Sequence, residues 1–312
     1  MTLAVAVIGT GHMGAHHARI LSKMENVELK ALVDIDREKV EKLARRYNTK
    51  GYTDYRSVLG KVDAAVIAVP TNLHYTIARE MLLHNIHCMV EKPITVTLET
   101  ANELIELAKE RNLVLQVGFV ERFNPAVISA KNYIYNPKYI EARRLSPYDA
   151  RTAYISVVLD FMIHDIDMVL SLLNYSSPVN IDAVGAKVFS EEEDIANVRM
   201  RFDNGCIADI SVSRISLASY RKIRIFQEDS YISIDYMARK VEIYKKKKER
   251  VKDYKDIEVI IPEVEKVEPL YNELKHFIEC IHAKTPPCSS GREGYLSLEL
   301  AINILKEIRK LK

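Results

Sequence analysis

Tryptophan is absent from this 312-residue chain, and glutamine occurs only at Gln116 and Gln227. Beside abundant Lys, Glu, Ile and Tyr, that scarcity leans towards a thermophilic source. Cysteine is sparse as well. Cys88, Cys206, Cys280 and Cys288 are scattered, without C-x-x-C spacing, so they read as structural thiols and no metal site is expected. No charge of one sign accumulates: the formal net charge is +2, which gives no argument for binding nucleic acid or a membrane surface. The one basic run, Lys245 to Lys248, has alternating and acidic neighbours and reads as a solvated hairpin. Glu191-Glu192-Glu193-Asp194 reads as a solvated loop. No apolar stretch reaches the length of a transmembrane span, and no signal peptide precedes the first strand, so a cytoplasmic location is expected. There is no internal repeat and no low-complexity segment.

What the chain does contain begins at its fifth residue. Val5-Ala6-Val7-Ile8 reads as a buried parallel strand, followed by Gly9-Thr10-Gly11-His12-Met13-Gly14 and a helix opening near Met13. In such a turn Gly9 permits the sharp bend, Gly11 lets the backbone approach a pyrophosphate, and Gly14 lets helix and strand pack closely. The helix N-terminus presents free N–H groups and a positive dipole end to phosphate. Twenty residues beyond Gly14, Asp34 ends a second strand, placed to accept hydrogen bonds from adenosine ribose hydroxyls. A carboxylate there repels a 2′-phosphate, which favours NAD over NADP, with Arg37 close enough to soften the preference. Gly9, Gly11, His12, Met13, Gly14, Asp34 and Arg37 are therefore candidate cofactor residues.

Residues 3 to about 120 alternate strand and helix, with apolar, non-alternating strands at Ala4–Ile8, Leu29–Val33, Ala64–Val69, His87–Val90 and Val114–Gly118. This is the pattern of a doubly wound parallel sheet covered on both faces, an α/β Rossmann domain. After Asn124-Pro125 the rhythm changes. Leu159–Leu173 reads as one amphipathic helix. Longer alternating strands then follow, at Ile181–Phe189, Ala196–Phe202, Cys206–Ser213, Lys222–Gln227, Tyr231–Asp235 and Lys240–Tyr244. Asp203-Asn204-Gly205 signals a hairpin turn. Helices near Pro269–Ala283 and Glu293–Leu311 close the chain. The second half reads as an α+β domain with an open, mostly antiparallel sheet and helices on one face. The expected division is 1–121 for dinucleotide binding and 122–312 for substrate binding and oligomerisation. The uncovered sheet face leads to an expected homodimer or homotetramer.

Three segments fall at the carboxyl ends of the parallel strands, where such sheets bind ligands. They are Val69-Pro70-Thr71-Asn72-Leu73-His74, Val90-Glu91-Lys92-Pro93, and Val117-Gly118-Phe119-Val120-Glu121-Arg122-Phe123-Asn124-Pro125. A fourth group lies further on, where Asp160 and His164 are spaced i, i+4 and so share one helical face.

With these segments in view, the chain resembles the glucose–fructose oxidoreductase / inositol dehydrogenase / rhizopine-catabolism (Gfo/Idh/MocA) family of NAD(P)-dependent sugar oxidoreductases, along nearly its whole length. The segments Val117 to Ala126, Glu141-Ala142-Arg143-Arg144-Leu145-Ser146-Pro147 and Asp160 to Asp167 are similar to its UDP-N-acetylglucosamine 3-dehydrogenase branch. The resemblance implies an NAD-dependent dehydrogenase that oxidises a sugar hydroxyl. It implies that Lys92 hydrogen-bonds the reacting hydroxyl, its direction set if the bond to Pro93 is cis. His164 is implied as the base or proton relay, with Asp160 positioning the substrate and His164. Pro70, Thr71, Asn72, His74 and Glu91 are implied along the ribose and nicotinamide side, and Arg122 and Asn124 towards the sugar or carboxamide. For a UDP-sugar, Arg143, Arg144 and Arg151 are candidates for the diphosphate and Tyr148 or Tyr154 for stacking on uracil.

Blander roles stand beside these. Arg143 and Arg144 also fit a strand with one exposed and one paired basic side chain. His74 also fits a helix cap, His12, His16 and His17 fit packing or solvent exposure, and Asp165 and Asp167 fit domain packing. Two other functions stay open. One is a dehydrogenase of a free polyol such as myo-inositol, which needs no phosphate-binding arginines. The other is a non-catalytic cofactor or sugar sensor.

Overall fold

The computed structural model describes residues 2–310. They divide into two compact units: the residues up to Val120 with Leu270–Leu296, and Glu121–Pro269 with the residues from Ser297 on.

The first unit alternates β1 (Leu3–Ile8), α1 (His12–Leu21), β2 (Val27–Val33), α2 (Arg37–Arg46), β3 (Lys50–Tyr52), β4 (Ala64–Ile67), α3 (His74–Leu83), β5 (His87–Glu91), α4 (Leu98–Glu110) and β6 (Leu115–Gly118). The strands pair in parallel in the order β3-β2-β1-β4-β5-β6. The order reverses between β1 and β4, and the ligand crevice of a doubly wound sheet opens at the carboxyl ends of the strands beside such a reversal. Val5, Ala6, Val7, Ala64, Ala65, Val66 and Ile67 are wholly buried, as strands covered on both faces must be. The short β3 has no apolar run of its own, and nothing in its composition announces it.

The second unit opens with α5 (Pro125–Ala130), capped by the Asn124 side chain, and β7 (Tyr139–Leu145). A π-helical turn at Val158–Met162 leads into α6 (Ile163–Leu172), in place of the single regular helix expected over Leu159–Leu173. The remaining strands are β8 (Pro178–Ala186), β9 (Ile195–Phe202), β10 (Ile207–Ser213), β11 (Tyr220–Phe226), β12 (Ser230–Asp235), β13 (Lys240–Lys246) and β14 (Ile257–Ile260). The sheet runs β14-β13-β12-β11-β7-β10-β9-β8, antiparallel except for the β7–β10 pair. Gly205, at φ +84°, makes the β9–β10 hairpin turn that Asn-Gly signals.

One face of this sheet is buried and the other is open. Ile140, Ala142, Val198, Met200, Ala208, Ile210, Ile223, Ile225, Ile232, Ile234, Val241 and Ile243 lie on the buried face. β7, in the middle of the sheet, is the strand that the blander reading of Arg143 and Arg144 allows, outside the series of alternating strands expected after residue 180. Its charges at Glu141, Arg143 and Arg144 fall within an alternation in which Ile140, Ala142 and Arg144 all point inward.

Two helices close the chain, α7 (Pro269–Ala283) and α8 (Gly291–Lys310). Leu270, Leu274, Phe277, Ile278 and Ile281 of α7 pack into one apolar cluster with Val5, Leu21, Leu32 and Val66. α7 thus belongs to the first unit, whereas a division of the chain at 121/122 places it in the second.

Candidate active site

The glycine turn is built to admit a ligand at one point only. A Cβ on Gly9, which sits at φ +90°, would lie 2.3 Å from the Ala68 carbonyl oxygen, and one on Gly14 would lie 1.8 Å from the Gly9 oxygen. A Cβ on Gly11 would meet nothing within 4 Å. The space over Gly11 is open, as close approach of a pyrophosphate requires. α2, α4 and α5 are each capped by a side chain, but α1 starts at Gly11 with no side-chain cap and no acid in its first turn. Its first N–H groups and dipole end therefore stay available to an anion. His12 is exposed on this first turn, edge-on to His16 at 4.8 Å, and Met13 packs against the core.

Asp34 follows β2 and is tied to the same turn. Its Oδ2 accepts from the Thr10 N–H and hydroxyl, both at 2.7 Å, and its Oδ1 accepts from the Asp36 N–H at 3.1 Å. Burial pushes this carboxyl up, but the hydrogen bonds from Asp36 and Thr10 outweigh it and hold it below the ordinary range. With about four lone-pair sites, the carboxylate keeps room for a ribose hydroxyl. Ile35 beside it is 93% exposed, an apolar surface suited to a flat ring that composition and spacing did not single out. Arg37 is exposed and pairs only loosely with Glu41, at 3.8 Å. These features fit a dinucleotide.

After β4, Pro70 and Asn72 are exposed and Thr71 half-buried around a short 3₁₀ turn. His74 is different. It is buried, with Nδ1 2.9 Å from the Pro93 carbonyl oxygen and Nε2 2.9 Å from that of Val69. The ring braces the loop after β4 against the loop after β5, so its nitrogens are engaged with backbone rather than offered to a cofactor. Burial lowers its pKa, against the pull of the two carbonyls. Glu91 ends β5 with Oε1 2.7 Å from Nε2 of the wholly buried His17. Burial raises the Glu91 carboxyl, but the bond from His17 and the charges of His17, Lys92 and His74 bring it below the usual range. Lys92 follows, half-buried, and its bond to Pro93 is cis. Lys92 is thus flanked by two residues, Glu91 and Pro93, each held by a buried histidine.

In the second unit, Asp160 lies in the π-helical turn and His164 in the first turn of α6, both half-buried. From Met162 to Leu170 every residue is buried except His164. The segment therefore leaves one ionisable side chain partly accessible on an otherwise packed helix, with Asp160 one turn before it. π-turns of this kind recur at functional sites because they reorient side chains without ending the helix.

The arginines expected at the ligand each have a carboxylate partner in the second unit. Arg122 makes a bidentate pair with Asp167, both bonds 2.6 Å, and both side chains are buried. Burial opposes the Arg122 charge, but Asp167 overrides it and raises the pKa. Arg144 donates to Asp165 Oδ2 at 2.8 Å and to Glu121 Oε1 at 3.2 Å, also buried. Asn124 gives its Nδ2 to Glu121 and the Tyr236 carbonyl, and its Oδ1 caps α5. The structure thus places Arg122, Arg144 and Asn124 in a buried polar network whose carboxylates are Glu121, Asp165 and Asp167. A sequence shows the charges but not which tertiary partner neutralises each.

Arg143 takes the exposed strand position that the blander reading allows. Strand alternation turns it to the open face of the sheet, away from Arg144, where it pairs with Glu141 at 2.7 Å. Arg151 is 80% exposed and forks onto Asp149, two residues before it. Tyr148 is exposed, edge-on to Phe189 at 5.8 Å, and Tyr154 is 70% exposed. Sequence reasoning passed over Arg221, which lies directly opposite Arg144 across the β7–β11 pair.

With this geometry in place, comparisons with known proteins give a consistent answer. Residues 3–119 match the family described as "Oxidoreductase family, NAD-binding Rossmann fold", and residues 133–233 match the "GFO/IDH/MocA C-terminal domain". The chain is 31% identical to the UDP-N-acetylglucosamine 3-dehydrogenase of Acidithiobacillus ferrooxidans, over 97% of this chain and 96% of that protein. A solved structure of the A. ferrooxidans 3-dehydrogenase superposes with a TM-score of 0.92 at 30% identity, covering 99% of both chains. The myo-inositol 2-dehydrogenase of Thermotoga maritima is 26% identical over 99% of this chain and 98% of its own.

Proposed function

The chain belongs to the GFO/IDH/MocA family of NAD-binding oxidoreductases, and from that premise we propose that it oxidises a sugar hydroxyl to a ketone. The hydroxyl assigned is the 3-hydroxyl of UDP-N-acetylglucosamine or a close UDP-N-acetylhexosamine. The placement of His164 carries the chemistry: it is the one residue not fully buried between Met162 and Leu170, with Asp160 a turn before it. The substrate class is supported by the 31% identical relative that acts on UDP-N-acetylglucosamine.

Hydride leaves a carbinol carbon readily only as its oxygen gains alkoxide character. His164 takes the hydroxyl proton, and the Lys92 ammonium hydrogen-bonds the oxygen as charge develops on it. Positioned acid–base groups of this kind contribute roughly 10²- to 10⁴-fold. Asp160 orients the substrate and His164. Bound NAD supplies the hydride acceptor. The open space over Gly11 and the uncapped start of α1 would hold its pyrophosphate, Asp34 would accept from a ribose hydroxyl, and Ile35 would offer an apolar surface to the adenine. Asp34 repels a 2′-phosphate, so NAD is assigned over NADP.

Self-association through the open face of the eight-stranded sheet completes the proposal. A row of rings crosses four neighbouring strands on that face, with centroids 5.5 Å (Tyr139–Phe226), 4.9 Å (Phe226–Tyr231) and 5.5 Å (Tyr231–Tyr244) apart. Such aromatic surface is characteristic of interfaces.

One observation favours a second reading, a dehydrogenase of free polyols. Arg122 and Arg144 are engaged with carboxylates, which removes two of the cations a diphosphate could use. Incubation with NAD and either UDP-N-acetylglucosamine or myo-inositol, with product followed by mass, separates the two. A two-dalton loss from the UDP-sugar supports the first reading, and turnover of the polyol alone supports the second.

A further inference from the structure

We propose that Arg221 is the phosphate-binding residue of the second unit, and that it takes the diphosphate of a nucleotide-activated sugar. The proposal rests on the nucleotide-sugar reading above and names the residue that reading otherwise lacks.

Directly opposed residues of an antiparallel pair project to the same face of a sheet. Arg221 and Arg144 are such a pair across β11 and β7. Arg144 points inward, to Asp165 of α6 and to Glu121, so Arg221 lies on that same helix-covered face. It precedes Ile223 and Ile225 in the inward-facing row of β11, but unlike them it is exposed. Its neighbour Arg144 bonds Asp165, the residue after His164, and Glu121, Asp165 and Asp160 all act on the Arg221 charge.

The neighbouring arginines are neutralised and Arg221 is not. Arg122 has Asp167, and Arg144 has Asp165 and Glu121, whereas Arg221 makes no side-chain hydrogen bond or ion pair among the described residues. Partial desolvation against the surrounding protein lowers its pKa and the adjacent Arg144 lowers it further, against the pull of the three carboxylates. A cation in that position gains from an arriving anion. A guanidinium offers the planar fork that phosphate oxygens match, and an anion bound there would also screen the repulsion from Arg144. Arg143, the more conspicuous candidate in the sequence, is on the opposite face.

The test is calorimetric titration of the NADH-loaded protein with UDP-N-acetylglucosamine, UDP and N-acetylglucosamine, comparing wild type with Arg221→Gln, Arg221→Lys and Arg143→Gln. The expected result is that Arg221→Gln weakens UDP and the UDP-sugar by roughly 10- to 100-fold, the range for a hydrogen-bonded charge. Arg221→Lys should fall between it and wild type, and Arg143→Gln should match wild type. Unchanged NADH affinity and melting temperature show that a variant is folded. If Arg221→Gln does not fold, the loss on Arg221→Lys decides. Tight UDP-sugar binding that is indifferent to both Arg221 variants would overturn the assignment and leave the nucleotide-sugar reading standing. A wild type that binds a free sugar but neither UDP nor the UDP-sugar would overturn both.

Discussion

Nε2 of His17 lies 2.7 Å from Oε1 of Glu91, linking the helix that starts at the glycine turn to the residue before Lys92. The contact connects dinucleotide binding to the lysine assigned to the chemistry. His17→Leu would leave a buried carboxylate without its donor, at a cost of about 1–3 kcal/mol. The expected outcome is a lower melting temperature together with a fall in kcat larger than the change in NAD affinity. His17→Gln, which places an amide N–H near the same point, should restore much of both. Equal kcat in the Leu and Gln variants would show that the pair does not position Lys92.

His74 gives a pH dependence with a definite sign. Burial holds its pKa below the ordinary 6.5, so the folded protein favours the neutral ring. The unfolded chain then binds more protons between the lowered value and 6.5, and stability must rise with pH across that window. Melting temperature should fall as pH drops below about 6.5 and level off once the folded-state ring is also protonated. The slope attributable to this residue should vanish in His74→Gln. A slope of opposite sign would mean that the two carbonyl contacts, at Val69 and Pro93, outweigh burial.

Arg144 is the centre of the buried charge network. Arg144→Met removes the cation and strands Asp165 and Glu121, a change that costs about 3–5 kcal/mol where a buried pair is broken. Denaturant unfolding should show that loss, and Asp165→Asn on the Arg144→Met background should recover part of it. A loss below about 1 kcal/mol, the scale of surface pairs, would contradict the network reading.

Asp34 sets the choice of dinucleotide. Asp34→Ala removes the acceptor and the charge that repels a 2′-phosphate, and it also frees Thr10. NAD affinity should fall by roughly tenfold, the weight of a hydrogen bond to a charged group, while NADP affinity rises. Fluorescence titration with NADH and NADPH checks this, and unchanged preference would remove Asp34 from the ribose.

The first unit was the more legible in sequence because its signals are local. A glycine is demanded wherever backbone lies within 3 Å of an added Cβ, and Gly9 and Gly14 are such places. An acid ending β2 likewise reads from spacing alone. The second unit resisted for a physical reason. Arg122 finds Asp167 forty-five positions on, and Arg144 finds Asp165 twenty-one on, so each partner is set by tertiary register. In β7 the sequence allowed a strand with one exposed and one paired arginine, but not which carboxylates they meet, Glu141 for Arg143 and Asp165 for Arg144. The limits of α7 were plain in the chain at Pro269–Ala283, but not that its apolar face joins the core around Val5 and Leu32.

The central claim is hydride transfer from C3 of a UDP-N-acetylhexosamine, and deuterium at that carbon tests it most directly. Incubated with NAD, UDP-N-acetylglucosamine labelled at C3 should yield deuterated NADH and a UDP-sugar lighter by hydrogen and deuterium, and Lys92→Ala should abolish both while still binding NAD. Unlabelled NADH from the labelled sugar, or turnover that persists in Lys92→Ala, would contradict the account.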